Sequence, residues 1–216
     1  MNTIKHTVLN SHSRFTQEQI AKIDKACGSA VNVLDELFPN HTPVDIVFYD
    51  NASEVNVALG VGGQTINESL IFMPLDSQFD FSEQEVFVTI CHEFHHKIRL
   101  EAFGPMYTLF ESVIAEGLAE QFEKELLPDR TLVTYSEASD VKQIEQSLHD
   151  LKEVLDGGEY DYYEWFSGTG KYPKWYGYTL GNFIINKYME KYHKKPSELA
   201  RTPLNSFEKF ITSLSF

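Results

Sequence analysis

The sequence predicts an α+β fold: a small N-terminal sheet packed on a histidine-bearing helix, followed by a mostly helical C-terminal lobe. Three observations carry this reading. Val44–Tyr49 and Ser69–Met73 are rich in β-branched and aromatic residues and read as strands. The stretch from Ser82 onward has the caps and the four-residue apolar repeat of a helix. Beyond Gly104-Pro105, apolar residues recur mainly at helical spacing. A chain of 216 residues fits a single domain, 1–216, with an α/β lobe over about 1–103 and a helical lobe over about 104–216.

The elements follow in order. Ile4, His6 and Val8 alternate and suggest a short first strand over Ile4–Leu9. A helix opens on the capping box Thr16-x-x-Gln19, with Phe15 and Ile20 as its hydrophobic staple. Its apolar face runs through Ile20, Ile23, Cys27, Ala30, Leu34 and Leu37, and Pro39 lies past its end. The strand Val44–Tyr49 comes next. Gly60, Gly62 and Gly63 then mark a turn or a close backbone approach. The strand Ser69–Met73 is ended by Pro74. Ser82-x-x-Glu85 is a second capping box, with Phe81 and Val86 as its staple, and Val86, Ile90, Phe94 and Ile98 form the core stripe of a helix of about five turns. Gly104-Pro105 stops it. A further helix is patterned by Leu109, Val113, Ile114, Leu118, Ala119 and Phe122, and Leu127-Pro128 ends it. Residues 129–139 read as polar loop and Val141 to Leu155 as an amphipathic helix. Glu159 to Trp175 is read as a long aromatic loop, with exposed-looking tyrosines bordering the site. Leu180 to Lys191 suggests another helix, and Thr202-Pro203 an N-cap and first residue of a last short one.

The chemistry concentrates in His92-Glu93-Phe94-His95-His96. On a helix, histidines four residues apart stand one turn above each other on one face, so both imidazoles can reach a single metal ion. Glu93 lies about 100° further round, beside the metal, where a general base for an activated water is wanted. A catalytic zinc takes three protein ligands and keeps one open position. Folding the next helix back about residue 105 sets Glu116 level with residue 94, between His92 and His96, and Glu120 level with residue 90. Glu116 is therefore the expected third ligand. Glu120 is expected to accept a hydrogen bond from His92 and fix its tautomer. Arg99 is expected to pair with Glu120 or Glu123. His95 reads as packing or as a neighbour of the ligands, because a further imidazole ligand would crowd the site.

These residues carry a resemblance. HExxH followed about twenty residues later by Glu116-Gly117-Leu118-Ala119 resembles the gluzincin metallopeptidases, and with Gly177-Tyr178-x-x-Gly181 it is most similar to the bacterial YjaZ-like family of predicted zinc-dependent proteases. The resemblance implies a zincin-like fold, a Zn2+ cofactor held by His92, His96 and Glu116, and a peptide or protein substrate. It also implies a downstream donor for the oxyanion, with Tyr178 the first choice and Tyr176 and His149 the alternatives. By analogy with zincin-like folds, residues 69–73 or 62–66 would form a sheet edge that binds an extended peptide, with an ordinary edge or an interior strand the equal alternative.

Composition narrows the rest. Eighteen basic against 32 acidic residues give a net charge of −14, which argues against a nucleic-acid partner, since that would want a basic face. No apolar run is long enough for a membrane span, and the first fifteen residues have no signal-like apolar core, so a cytoplasmic location is expected. Cys27 and Cys91 make no disulfide framework and read as buried thiols. Two other functions share this pattern: a zinc-binding scaffold or interaction module without turnover, and a zinc hydrolase acting on a non-peptide amide or ester. Glu93 separates the first from an enzyme, because holding a metal does not require it.

Overall fold

The computed structural model describes residues 4–129, Leu148 and 160–213. It is α+β and comprises two compact units, residues 1–102 and 103–216. The first holds strands β1 (Ile4–Val8), β2 (Val44–Asp50), β3 (Gln64–Asn67) and β4 (Leu70–Leu75), with helices α1 (Gln17–Leu37) and α2 (Glu83–Phe103). The second holds α3 (Leu109–Leu126), α4 (Tyr162–Phe166), α5 (Tyr176–Tyr192), α6 (Pro196–Leu199) and α7 (Leu204–Ser213).

In the first unit the sheet order is β1-β2-β4-β3. β1 and β4 flank β2 in parallel, with Ile4 opposite Val44 and Ile46 opposite Ile71, and β3 runs antiparallel to β4. Ser69–Met73 is therefore an interior strand, and the edge falls to β3. The segment just before β3 also follows β4: the Gly62 N–H donates to the Pro74 carbonyl. Val44, Ile46, Phe48, Ile71 and Met73 are buried, the alternation expected where one sheet face meets a core.

α1 begins on its capping box: the Gln19 N–H donates to Thr16 Oγ1, and the Gln19 side chain accepts from the Thr16 N–H. Ile23, Cys27, Ala30 and Leu34 are buried as their spacing requires, whereas Ile20 and Leu37 are only half-buried. The Cys27 thiol is pushed up to about 12, by burial first and by nearby Asp24 second. At the end of α1, Phe38 packs on Phe94 of α2, ring centroids 6.0 Å apart.

α2 starts where Ser82 Oγ accepts the Glu85 N–H, and its stripe Val86, Ile90, Phe94 and Ile98 is fully buried. Gly104 takes φ +78, a left-handed conformation that closes a helix at little steric cost to glycine alone. Lys97, wholly buried, ties α2 to the start of β2. Its ammonium donates to the Thr42 carbonyl at 2.9 Å and to Glu101 at 2.6 Å, and Thr42 donates to Glu101 in turn. Burial works to raise the Glu101 pKa, but the bonds from Lys97 and Thr42 outweigh it and hold the carboxyl below its ordinary 4.5. That contribution to stability is present above pH 4.5 and is lost as pH falls through the lowered value.

In the second unit α3 also opens on a capping box, Thr108-x-x-Glu111. Leu148 is helical and buried, but the expected loop 129–139 and helix Val141–Leu155 otherwise lie outside the described residues. The aromatic segment differs from expectation. It contains α4, and Trp165, Phe166 and Tyr172 enter the core, Trp165 lying 4.0 Å and Tyr176 4.9 Å from the Tyr172 ring centroid. Aromatic burial outweighs the loop-like glycine content. Of the described aromatic residues of this segment, only Tyr162 and Tyr163 are exposed. α5 starts at Tyr176, a turn earlier than its aliphatic pattern suggests.

α3 and α5 meet backbone to backbone. A Cβ on Gly117 would lie 2.3 Å from the Gly181 carbonyl oxygen, and one on Gly181 would lie 2.2 Å from the Val113 carbonyl. No side chain fits, and the obstacle is main chain that cannot rotate away. Gly181→Ala is therefore expected to destabilise the protein by about 1–3 kcal/mol, the range for overpacking, with a fall in melting temperature. Gly28→Ala is the control: it sits mid-α1 with nothing within 4 Å of a built Cβ, so the change should stabilise by about 0.5–1 kcal/mol. Thermal unfolding of the two variants should show shifts of opposite sign.

Candidate metal centre

α2 carries the two histidines as its pitch dictates. The His92 and His96 ring centroids are 4.8 Å apart, and their Nε2 atoms approach to 3.1 Å. Two nitrogens on one tetrahedral zinc, each about 2.0–2.1 Å from it, stand about 3.3 Å apart, so the pair is already spaced for a shared ion. His96 is buried and His92 half-buried, an arrangement that gives access from one side. One ligand atom from each of His92, His96 and Glu116 lies within 4.8 Å of the others, and the three form a group able to bind a metal. Two imidazoles and a carboxylate are a donor set that suits zinc. The expected ligands are thus brought together.

Glu93 is buried beside this pair, at 7% exposure. The Thr65 hydroxyl lies 2.8 Å from Glu93 Oε2 and 2.7 Å from the Glu93 main-chain carbonyl. Gly63, on the same segment, has no room for a side chain: its Cβ would fall 2.5 Å from Glu93 Cγ and 2.7 Å from Oε1. The motif's acid is therefore enclosed by the strand that precedes its helix by two elements. His95 is fully buried and meets Phe38 edge-on at 6.5 Å, in keeping with a packing role. Cys91 is a buried thiol and is not in the metal-binding group.

On α3, one turn past Glu116, Glu120 is completely buried. The Asn182 amide donates to Glu120 Oε2 at 2.9 Å, and Gln121 donates to the Asn182 oxygen at 2.9 Å. Tyr178 is half-buried on the first turn of α5, its ring edge-on to Phe166 and its hydroxyl 3.4 Å from that of Tyr162. Tyr176 is fully buried in the aromatic stack, so its hydroxyl cannot serve as an exposed donor. His149 lies outside the described residues.

Sequence reasoning missed the roles of Thr65 and Asn182. The run Gly62-Gly63 did signal a close approach, without saying to what. A polar residue such as Thr65 on a four-residue strand offers no pattern, and Asn182 is one polar position among the apolar residues of α5.

A family profile described as "Predicted Zn-dependent protease (DUF2268)" matches residues 23–209. The uncharacterized protein YjfC of Bacillus subtilis (strain 168) is 25% identical over 132 residues, covering 52% of this chain and 42% of the relative. The chain thus spans less than half of that relative's length. No solved structure matches. Among the described residues, no helix is long and apolar enough to cross a membrane.

The geometry makes metal content the direct check. Elemental analysis of purified protein should find about one zinc per chain, and His96→Ala or Glu116→Ala should lose most of it, because three ligands are the usual minimum for a catalytic site. Full retention in Glu116→Ala would move the third ligand elsewhere, to Glu120 first.

Proposed function

We propose that this chain, which belongs to the DUF2268 family of predicted Zn-dependent proteases, hydrolyses peptide bonds at the His92–His96–Glu116 group with Glu93 as general base. The observation that carries the reading is the state of Glu93. It is not among the metal-binding group, yet it is buried next to two of its members and held by a hydroxyl. A site that only stored a metal would have no use for a carboxylate kept there at the expense of burial.

His92, His96 and Glu116 would hold the zinc in a gluzincin-like arrangement. When bound, zinc supplies a Lewis acid and lowers the pKa of a water to about 7. The chain's own residues do the remaining work. Glu93 accepts the proton of the attacking water and returns it to the leaving amine, so one carboxylate serves as base and then as acid. An extended substrate adds to the open side of β3, the edge strand, through main-chain hydrogen bonds. Tyr178, half-buried on the first turn of α5, is the proposed oxyanion donor. Glu120 is proposed to orient a ligand histidine, supported by its complete burial and the amide that fixes one of its oxygens. The zincin-like fold is proposed on the same footing: a mixed sheet with an antiparallel edge strand, followed by the motif helix.

Glu93→Gln decides the matter. The amide nearly matches the carboxylate in shape but cannot take a proton. The variant should keep its zinc and its melting behaviour and lose about 10²–10⁴-fold in cleavage of a broad peptide mixture read by mass spectrometry, with a chelator control. Equal cleavage by both proteins rejects the mechanism. Absence of cleavage by wild type turns the reading toward a zinc-binding scaffold.

A further inference from the structure

We infer that Thr65 is a positioning residue for Glu93, its hydroxyl holding the carboxylate in place at Oε2. The inference rests on the proposed role of Glu93 and adds a residue that neither the motif nor the family description contains.

The geometry is specific. Thr65 Oγ1 has one hydrogen and two acceptors within reach, Glu93 Oε2 at 2.8 Å and the Glu93 carbonyl at 2.7 Å. While Glu93 is a carboxylate, the hydroxyl donates to Oε2, a charge-assisted bond and so a strong one. The same hydroxyl lies within reach of the Glu93 main-chain carbonyl, so Thr65 holds the side chain against the turn of α2 that carries it.

Gly63 supports the same conclusion from the other side. With a Cβ there at 2.5–2.9 Å from Cγ, Oε1 and Cδ, the Glu93 side chain would be displaced from the hydroxyl. Gly63 immediately precedes β3 and Thr65 is the second residue of that strand, and both positions border the Glu93 side chain. Glu93 is thus confined by a missing side chain at one position and oriented by a hydroxyl at the next.

The test compares Thr65→Val, which keeps shape and loses the hydroxyl, with Thr65→Ser, which keeps the hydroxyl. Thr65→Val should lower kcat about 10–100-fold, the worth of a hydrogen bond to a charged group, with KM little changed and zinc content intact. Thr65→Ser should recover most of the loss, and Thr65→Val should add nothing in the Glu93→Gln background. A second measurement does not depend on turnover. In a thermal-unfolding cycle on the full chain as purified, Thr65→Val should lower the melting temperature by about 3–6 °C in wild type and by much less in Glu93→Ala. Equal shifts in the two backgrounds, or a kcat for Thr65→Val equal to that of wild type, would overturn the inference. If wild type cleaves no peptide, the function reading fails on its own, and the unfolding cycle still decides whether the hydroxyl holds the carboxylate.

Discussion

Within seven residues α2 buries Glu93, His95, His96, Lys97 and Arg99. Taking that many polar heads out of water on one helix is tolerable only if each finds a fixed partner, because an unpaired buried charge costs several kcal/mol. The rest of the first unit follows from meeting that demand. Lys97 finds Glu101 one turn on and the Thr42 carbonyl at the mouth of β2. Glu93 finds Thr65. The Lys97–Glu101 pair stays within α2, while the bonds to Thr42 and Thr65 join the helix to the segment before β2 and to β3. A helix held in this way has little freedom to turn about its axis, which is what two imidazoles aimed at one point require.

The second unit solves a different problem. Glu116 and Glu120 project from α3 next to Gly117, where α5 comes too close for any side chain. Close backbone approach fixes the spacing of two helices more sharply than interdigitated side chains do, because main chain cannot change rotamer. Asn182, one residue past Gly181, then reaches Glu120. The glycines of Gly177-Tyr178-x-x-Gly181 are thus packing devices, Gly177 under Phe166 and Gly181 on α3, with Tyr178 carried between them. The motif reads as a site signature because its packing requirement happens to be so strict.

Much of this was legible. The capping box at Thr16 and the Ser82 cap are written in local sequence. The α2 stripe, the strands at β2 and β4, the buried thiols and the His92–His96–Glu116 group follow from composition and spacing. What was not legible depended on tertiary contact. Nothing in Ser69–Met73 says that a four-residue polar strand, Gln64–Asn67, will cover its outer side and make it interior. The aromatic segment before α5 looked like a loop because glycine and proline dominate local propensity there, whereas Trp165, Tyr172 and Tyr176 gain more by stacking. α5 itself begins early because its glycines, poor helix formers, are required by the helix they touch.

The edge strand joins these themes. β3 is too short and too exposed to be explained by core packing, with Gln64, Ile66 and Asn67 all in solvent and only Thr65 turned inward. Thr65 turns toward the helix and Glu93, flanked by exposed Gln64 and Ile66, and a register irregularity between Thr65 and Asn67 breaks the alternation beyond it. The hydrogen-bonding direction of β3 has one side spent on β4 and the other open at the sheet's edge. In the proposed function Thr65 and the open side do separate work. A peptide paired to the open side would be registered to the same residues that orient the base, since a shift by one residue along β3 would turn its side chains to the wrong face. Substrate alignment and base alignment would then be two consequences of one strand's position, and the strand would be retained for its geometry, although it contributes little to the core.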